Sequence, residues 1–177
     1  MDNSTFESIY NQYSSRVYNT VLSYLQQPQD AEEVTQDVFV EVFRSAEQFK
    51  GDAAISTWIY RIAVNKALDF IRHRNRKKRF AFLSSIFQSE TGELQHDKPH
   101  FDHPGIQLEN KEKSRLLFAA LDRLPETQKT AFILFQIEGL SYKEIAEVMQ
   151  QTESGVESLL HRARSSLRKH LEGFYKN

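Results

Sequence analysis

Apolar side chains return at Phe6, Ile9, Tyr10, Tyr13, Val17, Val21 and Leu25, behind a Ser4-Thr5-Phe6-Glu7 capping-box spacing. Steps of three and four put them on one face of a helix. Pro28 is expected to end that helix, because its ring lacks the N–H the ladder needs. A second helix is expected from about Asp30, with Glu32 and Glu33 in its first turn where acids complement the helix dipole. Its apolar stripe is Val34, Val38, Val42 and Phe43, and Gly51 lies near its end. Ser56 is suited to cap a third helix, with Ile59, Ile62, Ala63, Ala67, Phe70 and Ile71 on one face. That helix is expected to dissolve into Arg72-His73-Arg74-Asn75-Arg76-Lys77-Lys78-Arg79.

Between about Phe80 and Lys113 the periodicity fails, and this stretch reads as a tether with a short helical stub at Phe80–Phe87. A second helical set follows: Leu116–Leu124 up to Pro125, then Glu126–Glu138 up to Gly139. Ser141-Tyr142-Lys143-Glu144 is another capping box, and Leu140 with Ile145 forms its hydrophobic staple. That helix is expected to end near Gln150, with Thr152 capping the next. Val156, Leu159, Leu160, Ala163, Leu167 and Leu171 form the buried stripe of the last helix. Its other face offers Glu157, Ser158, His161, Arg162, Ser165 and Arg168. Two short capped helices across a tight turn, the second basic outside and apolar inside, describe a helix-turn-helix. The pattern is all-α: residues 1–79 form one helical domain, 80–113 a flexible linker and 114–177 a second domain.

Charge changes the picture. The net charge of −1 conceals strong polarity along the chain. Residues 1–50 hold eight acids and three bases, whereas 51–79 hold eight bases and two acids. Residues 80–113 are again acidic, with six acids and three bases, and 114–177 are nearly balanced. Different surfaces are therefore expected to meet different partners. Six cations lie within Arg72–Arg79 with no acid among them, more than a helix end needs, so phosphate attraction is expected there. Arg162, Arg164, Arg168 and Lys169 on the last helix point the same way. Zero cysteines exclude disulfides and thiolate metal sites. No apolar run reaches the roughly 18 residues of a membrane span, so no direct membrane insertion is expected. The start Met1-Asp2-Asn3-Ser4 has no secretory character, so the expected location is cytoplasmic.

Three further features carry weaker chemistry. Phe49, Trp58, Tyr60 and Phe70 could stack on unpaired bases, although core packing accounts for Trp58 and Phe70. The loop from Lys50 to Thr57 has small side chains that leave room for a flipped base. His96, Asp97, His100, Asp102 and His103 are potential zinc ligands, yet they lie in the tether with no element to fix tetrahedral geometry. No Walker loop, nucleophile elbow or metalloprotease motif occurs. No cofactor and no catalysis are expected.

Asp30-Ala-Glu-Glu-Val-Thr-Gln-Asp-Val-Phe-Val-Glu-Val-Phe-Arg44, Phe49-Lys-Gly-Asp and Thr57-Trp-Ile-Tyr-Arg-Ile-Ala-Val-Asn-Lys-Ala-Leu-Asp-Phe-Ile-Arg72 resemble region 2 of a sigma factor. Leu124-Pro-Glu, Gly139-Leu-Ser-Tyr-Lys-Glu-Ile-Ala and Val156-Glu-Ser-Leu-Leu-His-Arg-Ala-Arg164 resemble region 4. With these two regions and a short linker, the chain is similar to the extracytoplasmic-function group of the sigma-70 family. The resemblance implies a bacterial RNA polymerase subunit that recruits core enzyme to promoters and helps melt them, often restrained by an anti-sigma factor. It implies that the helix carrying Asp30, Glu33, Gln36, Asp37, Phe39 and Val40 docks on the clamp of the large polymerase subunit. Asn65 and the loop residues Ala53, Ala54, Ile55, Ser56 and Thr57 would read the minus-ten element with a base flipped out. Arg61, Lys66, Arg72 and Arg74 would hold its backbone. Glu157, Ser158, His161 and Arg162 would face the major groove of the minus-thirty-five element, with Ser141, Tyr142, Thr152 and Arg168 in the same motif. Many relatives carry a basic residue where this chain has Glu157 and Leu159. A glutamate can accept from cytosine N4, so a different upstream readout is expected.

Two other readings need different support. A helix-turn-helix regulator acting without polymerase leaves the acidic Asp30–Arg44 helix unexplained. A metal-dependent nucleic-acid enzyme would require cleavage lost on mutating His100 and His103.

Overall fold

The computed structural model describes residues 3–49, 54–87 and 111–175, and among them there is no strand. Helix α1 is Asn3–Leu25, α2 Pro28–Ser45, α3 Ile55–Phe87, α4 Lys111–Leu121, α5 Glu126–Gln136, α6 Tyr142–Met149 and α7 Glu153–Tyr175. A single 3-10 turn, Ala46–Gln48, extends α2.

The first three helices pack against one another around Val17, Val21, Val34, Val38, Val42, Ile59, Ala63 and Ala67, the stripes expected from spacing. Tyr24 and Tyr60 are among the largest side chains buried completely. In the second domain α7 is the central support for α4, α5 and α6, through Phe118, Ile133, Leu134, Ile145, Val156, Leu160 and Ala163.

Several boundaries differ from expectation, each for a local reason. Pro28 starts α2 rather than merely ending α1: it occupies the first turn, where its missing N–H costs nothing. The reversal between the two helices is made by Gln26 at φ 56, in the left-handed region. Ser56 does not cap α3. The helix begins at Ile55, and the Trp58 N–H already donates to the Ala54 carbonyl at 3.2 Å. Instead of dissolving at Arg72–Arg79, α3 continues to Phe87 and absorbs the expected stub. Helix α4 begins at Lys111, inside the stretch assigned to the tether, and stops at Leu121 rather than Leu124. Helix α5 stops at Gln136, and Gly139 at φ +69 turns the chain so that Leu140 N–H reaches the Leu134 carbonyl at 3.0 Å. Nothing crowds a Cβ at Gly139, so backbone conformation and not space favours glycine there.

The helix-turn-helix is built as its sequence indicates. Ser141 Oγ accepts from Glu144 N–H at 3.3 Å, while Glu144 Oε2 accepts from Ser141 N–H at 2.8 Å, completing the capping box. Gln150 ends α6 at φ 55, and Gln151 N–H donates to the Ala146 carbonyl. Thr152 Oγ1 then accepts from Gly155 N–H at 3.1 Å and starts α7.

Candidate nucleic-acid interface

Helix α2 carries two unlike faces. Glu33, Gln36, Asp37 and Val40 follow one another at steps of three, one and three, and all are exposed, which makes a continuous acidic-to-apolar strip. Phe39 is not part of that strip. It is only 3% exposed and packs edge-on to Tyr10, with ring centroids 4.8 Å apart. Phe43, expected in the core, is 47% exposed and stands beside Phe6 at 5.2 Å. With Tyr10, also assigned to the interior by periodicity, and with Val40 it forms an exposed apolar rim. Asp30 lies at the start of α2 and pairs with Arg74 at 3.4 Å.

Helix α3 presents its bases in two directions. Lys66 and Arg74 turn toward α2, where Lys66 meets Glu41 at 3.3 Å and Arg74 meets Asp30. Arg61 and Arg72 turn toward the second domain. Arg61 Nη2 donates to the Glu147 carbonyl at 2.6 Å, and Arg72 Nη2 to Glu126 Oε1 at 2.5 Å. Glu147 is in the last turn of α6, where carbonyls lack helical partners and a cation suits the dipole. Asn65 is exposed on the Arg61–Arg72 side, one turn beyond Arg61. Ala54 is exposed, Ile55 and Ser56 are half-buried, and Thr57 is buried, so the start of α3 offers a short accessible edge. Ala53 and residues 50–52 lie outside the described residues. Phe49 and Trp58 face each other with centroids 5.0 Å apart, which accounts for them by packing. Beyond Arg74, residues Asn75 to Arg79 are all exposed on a helical rod.

On α7 the side chains Glu157, Ser158, His161, Arg162 and Arg168 are all exposed, and Leu159 is half-buried. Arg162 Nε donates back to the Ser158 carbonyl at 3.1 Å, which holds the guanidinium along the helix surface. Arg164 departs from the basic face and lies over the Phe135 ring at 5.2 Å. Ser141 and Thr152 are exposed but engaged as caps. Tyr142 is half-buried with its ring 5.4 Å from Phe135.

The junction between the domains contains a group that sequence patterning did not single out. Glu138, in the turn after α5, has a side chain only 3% exposed. Its Oε2 accepts from the Tyr60 hydroxyl at 2.9 Å, and Arg16 Nε lies 3.9 Å from the same oxygen. Arg16 also donates to the Glu138 carbonyl at 3.2 Å and sits 5.6 Å over the Tyr60 ring. Burial is the largest influence on this carboxyl and raises its pKa; the Thr20 and Tyr60 hydroxyls and the Arg16 charge pull the other way. Nearby, Lys129 is buried against the Tyr24 ring and pairs with Asp122 at 2.7 Å, and Gln26 reaches the same carboxylate at 2.8 Å. A cleft of about 1070 Å³, lined by Tyr24, Pro28, Leu68, Ile71 and Leu124 among others, remains open between the domains. The only signal for Glu138 in the sequence was an acid between Ile137 and Gly139, and its partners Tyr60 and Arg16 are remote in the chain.

Among the described residues no group of His, Asp and Glu could hold a metal, and no helix is long and apolar enough to cross a membrane. The His96–His103 segment lies outside them.

A helical first domain with a basic helix, followed by a capped helix-turn-helix with an exposed polar recognition face, defines a two-domain helical DNA-binding protein. The Sigma-70 region 2 model matches residues 9–77, and the Sigma-70 region 4 model matches residues 114–167. The chain is 32% identical to the ECF RNA polymerase sigma-E factor of Haemophilus influenzae, over 94% of this chain and 87% of that one. It is 30% identical to the RNA polymerase sigma-H factor of Pseudomonas aeruginosa, over 97% and 88% respectively. In fold it is similar to the sigma factor RpoE of Bartonella quintana, solved with the anti-sigma factor NepR, with a TM-score of 0.71 at 19% identity over 95% of this chain and 97% of that one. CnrH, solved with the cytosolic domain of CnrY, gives a TM-score of 0.69 at 22% identity over 97% and 90%. The chain belongs to the extracytoplasmic-function group of the sigma-70 family. It is an RNA polymerase sigma factor, which binds core polymerase, recognises promoter DNA and directs transcription initiation.

Proposed function

We propose that the three exposed faces divide this work. The α2 strip of Glu33, Gln36, Asp37 and Val40 docks on core polymerase, with Asp30 at its edge and Phe39 supporting it from beneath. The residues Ala53 to Thr57, with Asn65, read the minus-ten element as it melts, while Arg61, Lys66, Arg72 and Arg74 hold phosphates. Helix α7 reads the minus-thirty-five element through Glu157, Ser158, His161 and Arg162. Arg168 holds the backbone, and Ser141, Tyr142 and Thr152 set the pose of the motif. The factor acts in the cytoplasm as a non-catalytic subunit, and an anti-sigma protein is a further proposed partner, as for the Bartonella quintana sigma factor of similar fold.

The observation that carries this reading is the separation of charge between neighbouring helices. The exposed strip of α2 is acidic and apolar, whereas α3 concentrates six cations in Arg72–Arg79. A protein surface of basic character suits the first, and a polyanion suits the second. Reconstitution with core polymerase tests it. Asp37→Lys should weaken assembly with core while leaving DNA binding by the uncomplexed chain intact. Arg74→Ala should do the reverse, lowering the salt slope of DNA binding by about 1. Unchanged core affinity in Asp37→Lys would refute the docking assignment.

A further inference from the structure

Helix α7 carries two opposite charges on the two flanks of one exposed face. At about 100° per residue, Val156, Leu160, Ala163 and Leu167 gather on the buried side. Ser154, Ser158, His161 and Ser165 are all exposed and fall opposite them, within about 60° of one another. Three of these are serines, short enough to let the helix axis come close to base edges. Glu157 stands on one flank of this strip and Arg162 on the other, about 140° apart around the axis. Glu157 is exposed and has no hydrogen-bond or ion-pair partner among the described residues. Arg162 donates through Nε to the Ser158 carbonyl at 3.1 Å, which draws the guanidinium back along the helix and leaves Nη1 and Nη2 as an end-on fork. Arg164 adds no cation beside Glu157, because it is held over the Phe135 ring. One flank is therefore a pure acceptor and the other a pure donor.

A helix lying in the major groove turns one flank toward each strand. A carboxylate suits the cytosine edge, where N4 donates and no acceptor stands beside it. Adenine sets N7 next to its donor, and guanine and thymine present acceptors that repel a carboxylate. An arginine fork suits O6 and N7 of guanine. Cytosine on the strand facing Glu157 and guanine on the strand facing Arg162 describe base pairs of one orientation. The two residues are about 7.5 Å apart along the axis, about two steps of 3.4 Å, and the bond to Ser158 shortens that offset. We propose that the upstream element is recognised through two C·G pairs of the same orientation, no more than about two steps apart, the cytosine of one under Glu157 and the guanine of the other under Arg162. This rests on the reading of α7 as the helix that enters the minus-thirty-five groove, and adds to it which bases are chosen and on which strand.

Holoenzyme reconstituted from core polymerase and the full-length chain is used to select promoters randomised across both elements. The parent should enrich two cytosines on one strand of the upstream element, adjacent or with one base between them. Replacing the cytosine under Glu157 by thymine in a selected promoter should weaken parent binding about tenfold. Glu157→Gln should lose most of that discrimination, because an amide donates to thymine O4 as well as accepting from cytosine N4. Arg162→Ala should keep the cytosine preference at the first pair and lose about tenfold of the preference for guanine at the second. Both side chains are exposed, so helicity and melting of the variants should match the parent. Paired cytosines that respond separately to the two variants support the proposal. Selected C·G pairs of opposite orientation, or an upstream element that both variants leave unchanged, would overturn it while the reading of α7 as the upstream reader stands. A parent holoenzyme that enriches no upstream sequence at all would overturn that reading together with the proposal.

Discussion

Replacing Ser141 by alanine tests how the helix-turn-helix is held in shape. Helix α6 is eight residues long, too short to persist on propensity alone, and depends on its cap and on burial of Ile145, Ala146 and Val148. The substitution removes the hydroxyl that accepts from Glu144 N–H and donates to Glu144 Oε2 at 2.7 Å. It leaves the Ser141 backbone N–H donating to the same carboxylate at 2.8 Å. Half of a reciprocal cap is lost, and the affected groups are exposed and regain water, so the cost is that of an ordinary N-cap, about 1 kcal/mol. If the docked domains unfold together, the melting temperature should fall by about 2–4 °C; if the second domain melts by itself, by about 4–8 °C. Calorimetry measures the fall and shows which case applies. The cap also predicts a pH dependence. The Ser141 hydroxyl, and then its backbone N–H, hold the Glu144 carboxyl below the usual carboxylate value. Stability from this source is fully present above that usual value and is lost as pH falls through the lowered one. The gap between parent and Ser141→Ala should therefore narrow on acidification to about pH 3. A gap that stayed constant from pH 7 to pH 3, or no destabilisation at pH 7, would refute the reasoning.

Three further outcomes concern the turn and the readout. Gln150 holds φ 55 at the end of α6, a conformation that costs a side chain about 1 kcal/mol, so Gln150→Gly should stabilise the chain by several tenths of that, checked by denaturant titration. Arg162→Ala should cost about 1–3 kcal/mol of promoter affinity and relax preference at one upstream base pair, whereas Glu157→Arg should change the base selected. Selection from a randomised minus-thirty-five element reads both, and an unchanged consensus with Glu157→Arg would remove that residue from the groove.

What the sequence determined by itself was local. A helix repeats every 3.6 residues, so the buried stripes of α1, α3 and α7 and the exposed face Glu157–Arg168 could be read from spacing alone. The Ser141–Glu144 cap and the Thr152 cap were equally legible, because their partners stand three residues apart. Spacing was weakest at the edge of a stripe. Phe39 and Phe43 are one turn apart on α2, and the positions of Phe6 and Tyr10 on α1 decided which became core and which rim. Helix ends were also undecided: Pro28 can close one helix or open the next, and a basic run can fray or continue as α3 continues to Phe87. The junction was beyond reach of any local signal. Tyr60 and Glu138 lie 78 residues apart, and Arg61 and Glu147 lie 86 apart, so only the docking of one finished domain on the other brings them together. A glutamate in a turn is ordinarily solvated; this one is buried because the first domain covers it with a tyrosine hydroxyl and an arginine, a pairing set by tertiary geometry.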